Sequence, residues 1–464
     1  MSSSRNQFYA TFCANLLCLA YGLSTGWTSA AIPYLQSPQT PLQCGMLSDS
    51  DASLIGSVLT VGGIAGTIFF GFAANEIGRK FSIFLIAFPQ IIGWILMYYA
   101  ENAMLLILFR FLSGVAAGGI FTVVPVFITE IAEDRFVGRK AGMLRGMLGS
   151  TLWLFFGIGL LLSYMFGAYL PYYLVPWVSI PFSVVFLLGF WHVPETPLYL
   201  LTRGEFEKAD SSLIFYRGIH RHSFVDNNAV NIEMQTLRNS LAEENSSALS
   251  FKDFTSSHAK KSIAAGIFLV ALNQFCGIFA MFNFTAMIFK EAGSNFSPNV
   301  SSIIIGVIQI VGAVLCTFLV EKAGRKILLA VSSFGIAFGL AVLSLFIYLT
   351  SRGNDLSNVS WIPLVSFSFV IFISNLGVLT LPFLYISEVL PSKIKGFSMV
   401  FCLAALYVFA TIVIQYLSTL IALLGMHGAM LLFAINSLIG AVLIALFLPE
   451  TKGKSYEEIS KLLN

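Results

Sequence analysis

Residues 193–200 read VPETPLYL, and residues 448–455 read LPETKGKS. Each stretch ends a long apolar run with a proline followed by one glutamate, Glu195 in the first and Glu450 in the second. Proline interrupts helices, so both stretches mark the end of an apolar helix. The two boundaries lie 255 residues apart, and this recurrence raises the question of whether the chain contains two related halves.

The composition indicates a membrane protein that crosses the bilayer many times. Of 464 residues, 57% are hydrophobic and 11% are charged, whereas roughly 25% are charged in soluble domains. A helix needs about 20 apolar residues to cross the hydrocarbon core, and the runs are continuous rather than alternating, which predicts an all-α fold. The sequence contains twelve such runs, centred near residues 20, 63, 90, 115, 153, 183, 275, 310, 338, 374, 408 and 437.

Short motifs recur in the same order in the two parts of the chain. NEIGRK at 75–80 matches EKAGRK at 321–326, and FITEI at 127–131 matches YISEV at 385–389. Together with the two P-E-T boundaries they predict two six-helix pseudo-repeats, joined by a polar segment that suits short cytoplasmic helices. The predicted parts are an N-terminal bundle (1–202), a cytoplasmic helical linker (203–258), a C-terminal bundle (259–449) and a short cytoplasmic tail (450–464).

The basic residues predict the orientation. With both termini in the cytoplasm, almost all Lys and Arg residues fall on one side, as the positive-inside rule expects. The net charge of +3 then reflects loop placement and gives no sign of a nucleic-acid partner. The first apolar run, from Phe8 past Thr28, is too long for a signal peptide, so we expect it to be retained as a span. The absence of an acidic dileucine signal near the N-terminus favours the plasma membrane.

These motifs resemble those of the sugar porter family of the major facilitator superfamily, and the resemblance covers essentially the whole chain. The G-R-K turns, the signature at Pro125–Ile131 and the two P-E-T boundaries carry it. Within that family, NQFCGIFAMFNFTAMIF at 273–289 and YGLSTGW at 21–27 look most like insect facilitated trehalose and glucose transporters. The resemblance implies alternating-access transport of a small neutral sugar, and we expect the protein to function as a monomer in the lipid bilayer.

Charged residues of the repeated motifs predict a gate at the cytoplasmic helix ends. The free energy of ion pairs at helix ends can differ by a few kcal/mol between packed and separated arrangements. A difference of that size can bias a two-state equilibrium about a hundredfold. The alternative is that the basic turns only fix the topology and the carboxylates neutralise them. The residues of the expected network are Arg79, Glu130, Glu195, Glu321, Arg325, Glu388 and Glu450.

Departures from the family pattern affect the N-terminal half of this network. Asn75, Val137 and Leu198 stand where charged residues are usual in the family. We therefore expect the C-terminal network to be the more complete of the two.

Uncharged polar residues within the spans are the candidates for substrate binding. Amides suit a polyol because each offers donors and an acceptor without a charge to desolvate, although an interhelical hydrogen bond is the alternative for each. The candidates from the residues are Asn273, Gln274, Asn283, Gln309, Asn375 and Thr380. The resemblance matches Asn273, Gln274 and Gln309 to sugar-contacting positions and adds Phe383, Trp153 and Tyr407, which stand where tryptophan, glutamine and tryptophan are usual. Phe279, Asn375 and Leu406 replace asparagine, glutamate and asparagine, so we expect a more apolar pocket.

The sequence favours passive transport. Proton-coupled members of the family carry an aspartate in the first span, and here that position is Ser24, which does not titrate near pH 7. Gly453-Lys454-Ser455 does not form a phosphate loop, and neither a catalytic constellation nor a metal-ligand cluster occurs, so we expect no enzyme activity, cofactor or metal. The alternatives are a carrier for another neutral solute such as a polyol, a proton-coupled symporter and a transporter-like sensor.

Overall fold

The fold is described from a computed structural model and consists of helices. The structure describes residues 5–132, 139–218, 232–239, 251–291 and 297–452, with residues 454, 458–459 and 462 of the tail. For residues 139–150, 251–252, 291, 321, 357 and 392 it describes the backbone and not the side chain. Within these ranges no strand occurs, which confirms the all-α prediction.

The first half of the chain forms six long helices. They are α1 (Arg5–Leu35), α2 (Asp49–Glu76), α3 (Arg79–Tyr98), α4 (Ala103–Ile131), α5 (Arg139–Tyr169) and α6 (Val175–Phe190). Each is apolar enough to cross a membrane over its described residues, with Tyr172–Leu174 extending α6 as a short 3-10 helix. Side-chain caps fix two of the helix starts: Ser48 accepts a hydrogen bond from the backbone N–H of Asp51, and Asn102 accepts one from Leu105.

Short helices lie between the two halves. They are α7 (Pro197–Thr202), α8 (Phe206–Arg217), α9 (232–239) and α10 (Phe251–Thr255). The hydroxyl of Tyr216 in α8 donates to the carbonyl of Pro194 at 2.7 Å, and Arg217 donates to the carbonyl of Ile131 at 2.9 Å. Gln7 in α1 donates to the Tyr216 carbonyl. Helices α7 and α8 therefore pack against one end of the N-terminal bundle, which we call the linker end, whereas α10 packs against α11 of the second half. We call the other end of the bundle the opposite end.

The second half contains two interrupted spans and four continuous ones. One interrupted span consists of α11 (Ser257–Phe275), α12 (Ile278–Asn283) and α13 (Thr285–Glu291), and the other of α16 (Ile362–Leu376) and α17 (Leu381–Val389). Between them lie α14 (Pro298–Ala323) and α15 (Arg325–Ser351), and the half ends with α18 (Lys395–Phe447). At 53 residues α18 would be roughly 80 Å long if straight, so it cannot be one crossing.

Gly425 divides α18 into two spans. Its φ of 71° and ψ of 166° lie outside the helical region, in a conformation that favours glycine. The described chain has eleven helical segments long and apolar enough to cross a membrane, and the division of α18 brings the number of spans to the twelve predicted.

The halves meet along two pairs of helices. Ser53 and Thr60 of α2 hydrogen-bond to Ser418 and Thr411 of α18 at 2.9 and 2.7 Å. The other pair is α5 and α14, which pack closely at Gly306. One interrupted span also contacts the first half, because α12 and α13 pack against α1.

Candidate functional site

The two interrupted spans meet near the middle of the bundle. Gly277, with a φ of 79°, separates α11 from α12, and residues 377–380 separate α16 from α17. Broken helices free backbone groups that must find other partners in a membrane. Asn273 supplies one such partner, because its Nδ2 donates a hydrogen bond to the carbonyl of Val378 at 2.7 Å. Asn273 therefore joins one break to the other, and its amide serves the fold.

Thr380 also bonds within its own half. Its hydroxyl donates to the carbonyl of Asn375 at 2.9 Å and lies 3.2 Å from the sulfur of Cys316. The hydroxyl thus satisfies a carbonyl at the end of α16 that the break leaves without a helical partner. Both described contacts of Thr380 lie within the second half and hold the interrupted span in place.

Three buried amides each keep one atom without a partner. Gln274 donates to Asn273 at 2.8 Å, and Asn375 donates to Gln309 at 2.5 Å. Among the described residues, Gln274 Oε1, Gln309 Nε2 and Asn375 Oδ1 have no hydrogen-bond partner, although all three side chains are buried. Leaving such an atom unpaired costs about 1–3 kcal/mol. Two acceptors and one donor are therefore unpaired, and we call Gln274, Gln309 and Asn375 the amide cluster.

Two buried tyrosine hydroxyls are likewise unpaired in the described part of the chain. They belong to Tyr21 of α1 and Tyr407 of α18. Tyr407 lies directly against α2, since a Cβ added to Gly63 would be 2.4 Å from Cδ1 of its ring. Tyr407 therefore crosses from the C-terminal to the N-terminal half, and its hydroxyl adds a donor and an acceptor from the interface.

Aromatic rings from both halves form a cluster on the linker side of the interrupted spans. The ring of Phe383 lies 5.8 Å from Trp153 and 6.1 Å from Phe121, centroid to centroid, and is nearly parallel to Phe121. Trp153 in turn contacts Phe121 at 5.4 Å and Phe156 at 5.7 Å. We call these four residues the aromatic cluster. Because Phe383 comes from α17 and the others from α4 and α5, the cluster closes the space between the halves with apolar faces.

Asn283 does not join the amide cluster but lies toward the opposite end, against the N-terminal half. Its Oδ1 accepts a hydrogen bond from Arg110 Nη2 at 3.1 Å and lies 3.2 Å from the hydroxyl of Thr28, which shares its one proton between Asn283 and the Thr25 carbonyl at 2.8 Å. Its Nδ2 donates to the carbonyl of Phe279 at 2.8 Å. The amide is fully buried, and every one of its polar atoms is used.

Arg110 is fully buried and does not reach the membrane surface. In addition to Asn283, it donates to the carbonyl of Ser24 at 2.5 Å and to the carbonyl of Ile55 at 3.2 Å. A buried charge is tolerated only when its donors are satisfied, and here carbonyl dipoles and one amide oxygen satisfy them. We call Arg110, Asn283 and Thr28 the clasp, since they tie α12 to α1 and α4.

Other hydrogen bonds close the same end. Tyr164 of α5 donates to the carbonyl of Phe282 at 2.9 Å, and the N–H of Ala286 donates to the hydroxyl of Ser29 at 3.1 Å. The helices α12 and α13 are thereby packed against α1, α4 and α5. The interrupted span closes the opposite end of the bundle in this structure.

At the linker end, the N-terminal charge network is built around Arg79. Arg79 pairs with Glu130 at 2.9 Å, and Thr196 donates to the second carboxylate oxygen of Glu130 at 2.6 Å. Glu195 bonds not to the guanidinium but to the start of α3, accepting from the backbone N–H groups of Arg79 and Lys80 at 3.2 and 3.0 Å. Burial raises the pKa of the Glu195 carboxyl, and the N–H groups of Thr196 and Lys80 counteract that rise.

The C-terminal network repeats this arrangement. Arg325 pairs with Glu388 at 3.0 Å, and Glu450 accepts from the backbone N–H groups of Arg325 and Lys326 at 2.9 and 3.1 Å. A carboxylate at a helix N-terminus is favoured by the helix dipole. The two P-E-T glutamates are therefore caps that each half applies to its own third helix. Glu321 lies in α14, but its side chain is outside the described residues.

The two networks differ in their further partners. Within the described side chains, the N-terminal pair has an added partner in Thr196, whereas Oε2 of Glu388 is buried without one. Arg203 donates to the carbonyl of Asn75 at 3.2 Å. Val137 and the side chain of Glu321 lie outside the described residues, so the expectation of a more complete C-terminal network stays a prediction.

Sequence reasoning missed the partners that come from distant segments. It did not single out Phe121 or Tyr164. The bond from Arg110 to Asn283 likewise joins residues 173 positions apart. The available signal was the presence of an arginine in an apolar run, since a buried cation requires several acceptors.

The chain was compared with families of known proteins and with solved structures. It matches the family described as "Sugar (and other) transporter" over residues 10–463. It is 30% identical to the facilitated trehalose transporter Tret1 of Polypedilum vanderplanki, over 98% of this chain and 87% of the relative. It is also 30% identical to Tret1 of Drosophila virilis, over 98% of this chain and 48% of the relative, so it spans about half the length of that protein.

Solved structures share the fold. The proton:xylose symporter XylE of the major facilitator superfamily, bound to 6-bromo-6-deoxy-D-glucose, superposes with a TM-score of 0.80 at 22% identity and covers 100% of both chains. The POT family transporter PepTSo superposes with a TM-score of 0.65 at 13% identity, over 99% of both chains. At these identities the likeness concerns the arrangement of the helices.

Proposed function

This chain belongs to the sugar transporter family of the major facilitator superfamily, and we propose that it carries a neutral sugar, a hexose or trehalose, by facilitated diffusion. It is a multi-pass membrane transporter and not an enzyme. The names of the relatives favour trehalose among the sugars.

The amide cluster carries this proposal. Gln274 Oε1, Gln309 Nε2 and Asn375 Oδ1 are buried and unpaired in the described structure. A sugar hydroxyl both donates and accepts, so a polyol can satisfy all three atoms while the ring's C–H groups pack on the nearby aromatic faces. None of the three amides is charged, which favours a neutral cargo.

The surroundings of Arg110 support passive transport. The bonds described for its guanidinium go to two backbone carbonyls, the Ser24 hydroxyl and the Asn283 amide, none of which exchanges a proton near pH 7. Glu130 and Glu388 lie away from Arg110, at the linker end, and are paired with arginines. A titrating carboxylate of the kind that couples sugar to protons is therefore not part of the proposed mechanism.

Two gates flank the proposed site. The clasp closes the opposite end through bonds between the halves, and we assign Asn283 to this gate rather than to the sugar. At the linker end, the Arg79–Glu130 and Arg325–Glu388 pairs with their P-E-T caps order the helix ends within each half. When the halves rock, the contacts of the clasp between the halves break and re-form, whereas the linker-end pairs, each within one half, hold the helix ends that approach or separate, and the sugar meets each side in turn.

The remaining assignments follow from the sequence. We propose that the linker end and both termini face the cytoplasm. The two bundles, at 1–202 and 259–449, move as the rocking units, with 203–258 as a helical linker and 450–464 as a tail. The protein resides in the plasma membrane and functions as a monomer.

Uptake of labelled glucose and trehalose into oocytes tests the proposal. We expect saturable uptake of at least one sugar, unchanged when the proton gradient is removed. Gln274→Ala should raise the half-saturation constant about fivefold or more, the worth of roughly 1 kcal/mol. Asn436→Ala is the matched control, since this amide bonds to the Phe275 carbonyl within its own half. Absence of flux for both sugars contradicts the proposal.

A second candidate cargo is another neutral solute such as a polyol. The unpaired amide atoms also fit it, because an acyclic polyol offers the same hydroxyl donors and acceptors as a sugar. Inhibition of sugar uptake by excess sorbitol, together with uptake of labelled sorbitol, would support this alternative.

A further inference from the structure

A glycine of the first half borders the amide cluster. Gln274, Gln309 and Asn375 all belong to the second half, but α5 of the first half packs against α14 where α14 carries Gln309. At this point α5 has Gly157, which is buried, and a Cβ added to it would lie 3.1 Å from Cγ of Gln309. Carbon atoms in contact are ordinarily about 3.5–4.0 Å apart. The side chain of Gln309 therefore passes through space that an alanine at position 157 would restrict.

The helices around Gly157 are held close to each other. Trp153 and Leu161 lie one turn before and one turn after Gly157 on the same face of α5. Trp153 belongs to the aromatic cluster, and Leu161 meets α14 at Gly306, where an added Cβ would be 2.9 Å from the Cα of Leu161. Because α5 and α14 approach so closely one turn away, a small shift of one helix cannot make room for a larger side chain at position 157.

The orientation of Gln309 decides which atoms of the amide cluster are paired. Its Oε1 accepts a hydrogen bond from Nδ2 of Asn375 at 2.5 Å, and both side chains are fully buried. Within the described part of the chain, this pairing leaves Gln309 Nε2 as an unused donor and Asn375 Oδ1 as an unused acceptor. Side chains occupy a few staggered rotamers, so a displaced Cγ carries the whole amide with it. A larger residue at position 157 would therefore move the Gln309 amide away from Asn375.

We propose that Gly157 is a positioning residue for the sugar. By leaving space for Cγ of Gln309, it orients the Gln309–Asn375 pair so that the unpaired donor and the unpaired acceptor bind sugar hydroxyls. The inference rests on the proposed function, which assigns the amide cluster to the sugar. It also gives the first half a direct contact with a cluster built from the second half, so movement of α5 against α14 changes the orientation of Gln309.

Titration of the purified full-length protein with trehalose and with glucose tests this role. Gly157→Ala should raise the dissociation constant of the bound sugar about fivefold, the effect of a strained rotamer or a lost hydrogen bond. Alanine is the better helix former, so the variant should fold. Gly71→Ala is the matched control and should leave the constant unchanged. A Cβ added to Gly71 would also meet the other half, 3.0 Å from Cγ2 of Val400, but this neighbour is a valine rather than an amide.

A double variant separates positioning from a general loss of packing. Gln309→Asn shortens the side chain by one methylene and should weaken sugar binding about fivefold on its own. In the Gly157→Ala background the same change should add nothing, whereas independent effects would multiply to about 25-fold. A multiplied loss, or equal affinities of Gly157→Ala and Gly71→Ala, overturns the positioning role and leaves the proposed function standing. Absence of binding of both sugars by the unsubstituted protein contradicts the proposed function and the positioning role together.

Discussion

Asn283→Ala should open the opposite end of the bundle. The substitution removes the acceptor for Arg110 Nη2 at 3.1 Å and for the Thr28 hydroxyl at 3.2 Å, both of which come from the N-terminal half. The bond from the charged guanidinium is worth about 1.5–3 kcal/mol and applies only while the clasp is closed. A loss of about 2 kcal/mol shifts the closed-to-open equilibrium about 30-fold toward the open state.

Cysteine accessibility measures this shift. Ala286→Cys places a thiol on α13 at a position 7% exposed in the closed clasp, in a background in which exposed Cys44 is replaced by serine. The rate of labelling by a membrane-impermeant maleimide then follows the open population and should rise by up to about 30-fold in Asn283→Ala. Asn436→Ala should leave the rate unchanged. Equal rates with and without the Asn283 side chain would refute the clasp.

The remaining predictions concern the linker end and the aromatic cluster. Glu388→Gln should change the rate of sugar exchange, or the preference between the two states, more than it changes sugar affinity. Exchange and binding assays on the same variant measure the two effects. A change in affinity alone would contradict the gating role of Glu388. Gly324→Ala should lower the thermal stability of the purified protein, because the added Cβ would lie 2.6 Å from Glu450 Oε2 and Gly324 has a φ of 92°. Gly396→Ala should not lower it, because the space around Gly396 is open. Equal melting temperatures of the two variants would contradict the cap. Trp153→Ala should weaken sugar binding by about 1 kcal/mol, measured by titration, and unchanged binding would remove the aromatic cluster from the site.

Repeated motifs made the helix ends predictable. The paired G-R-K turns and carboxylates placed opposite charges at one end of each half, and the structure brings Arg79 to Glu130 and Arg325 to Glu388. The same motifs did not reveal that Glu195 bonds to backbone N–H groups, because a capping carboxylate and an ion-paired one look alike in sequence. Only the helix start, set by the positive φ of Gly78, distinguishes them.

Contacts between distant spans were less predictable. Six amide and hydroxyl candidates were found because polar residues in apolar runs are few, but sequence could not separate those that serve the fold from those left unpaired. Asn273 bonds to Val378 and Asn283 to Arg110, whereas Gln274 retains a free acceptor in the described structure. These differences depend on where the breaks in α11–α13 and α16–α17 meet, which no local pattern specifies.

The concentration ratio of trehalose at equilibrium tests the central claim most directly. The full-length protein would be reconstituted in vesicles with an inwardly directed proton gradient, and internal and external labelled trehalose would be measured after uptake stops. Passive carriage predicts equal concentrations on the two sides, reached at a rate that depends on Gln274. Accumulation above the external concentration that disappears when the proton gradient is removed would contradict it.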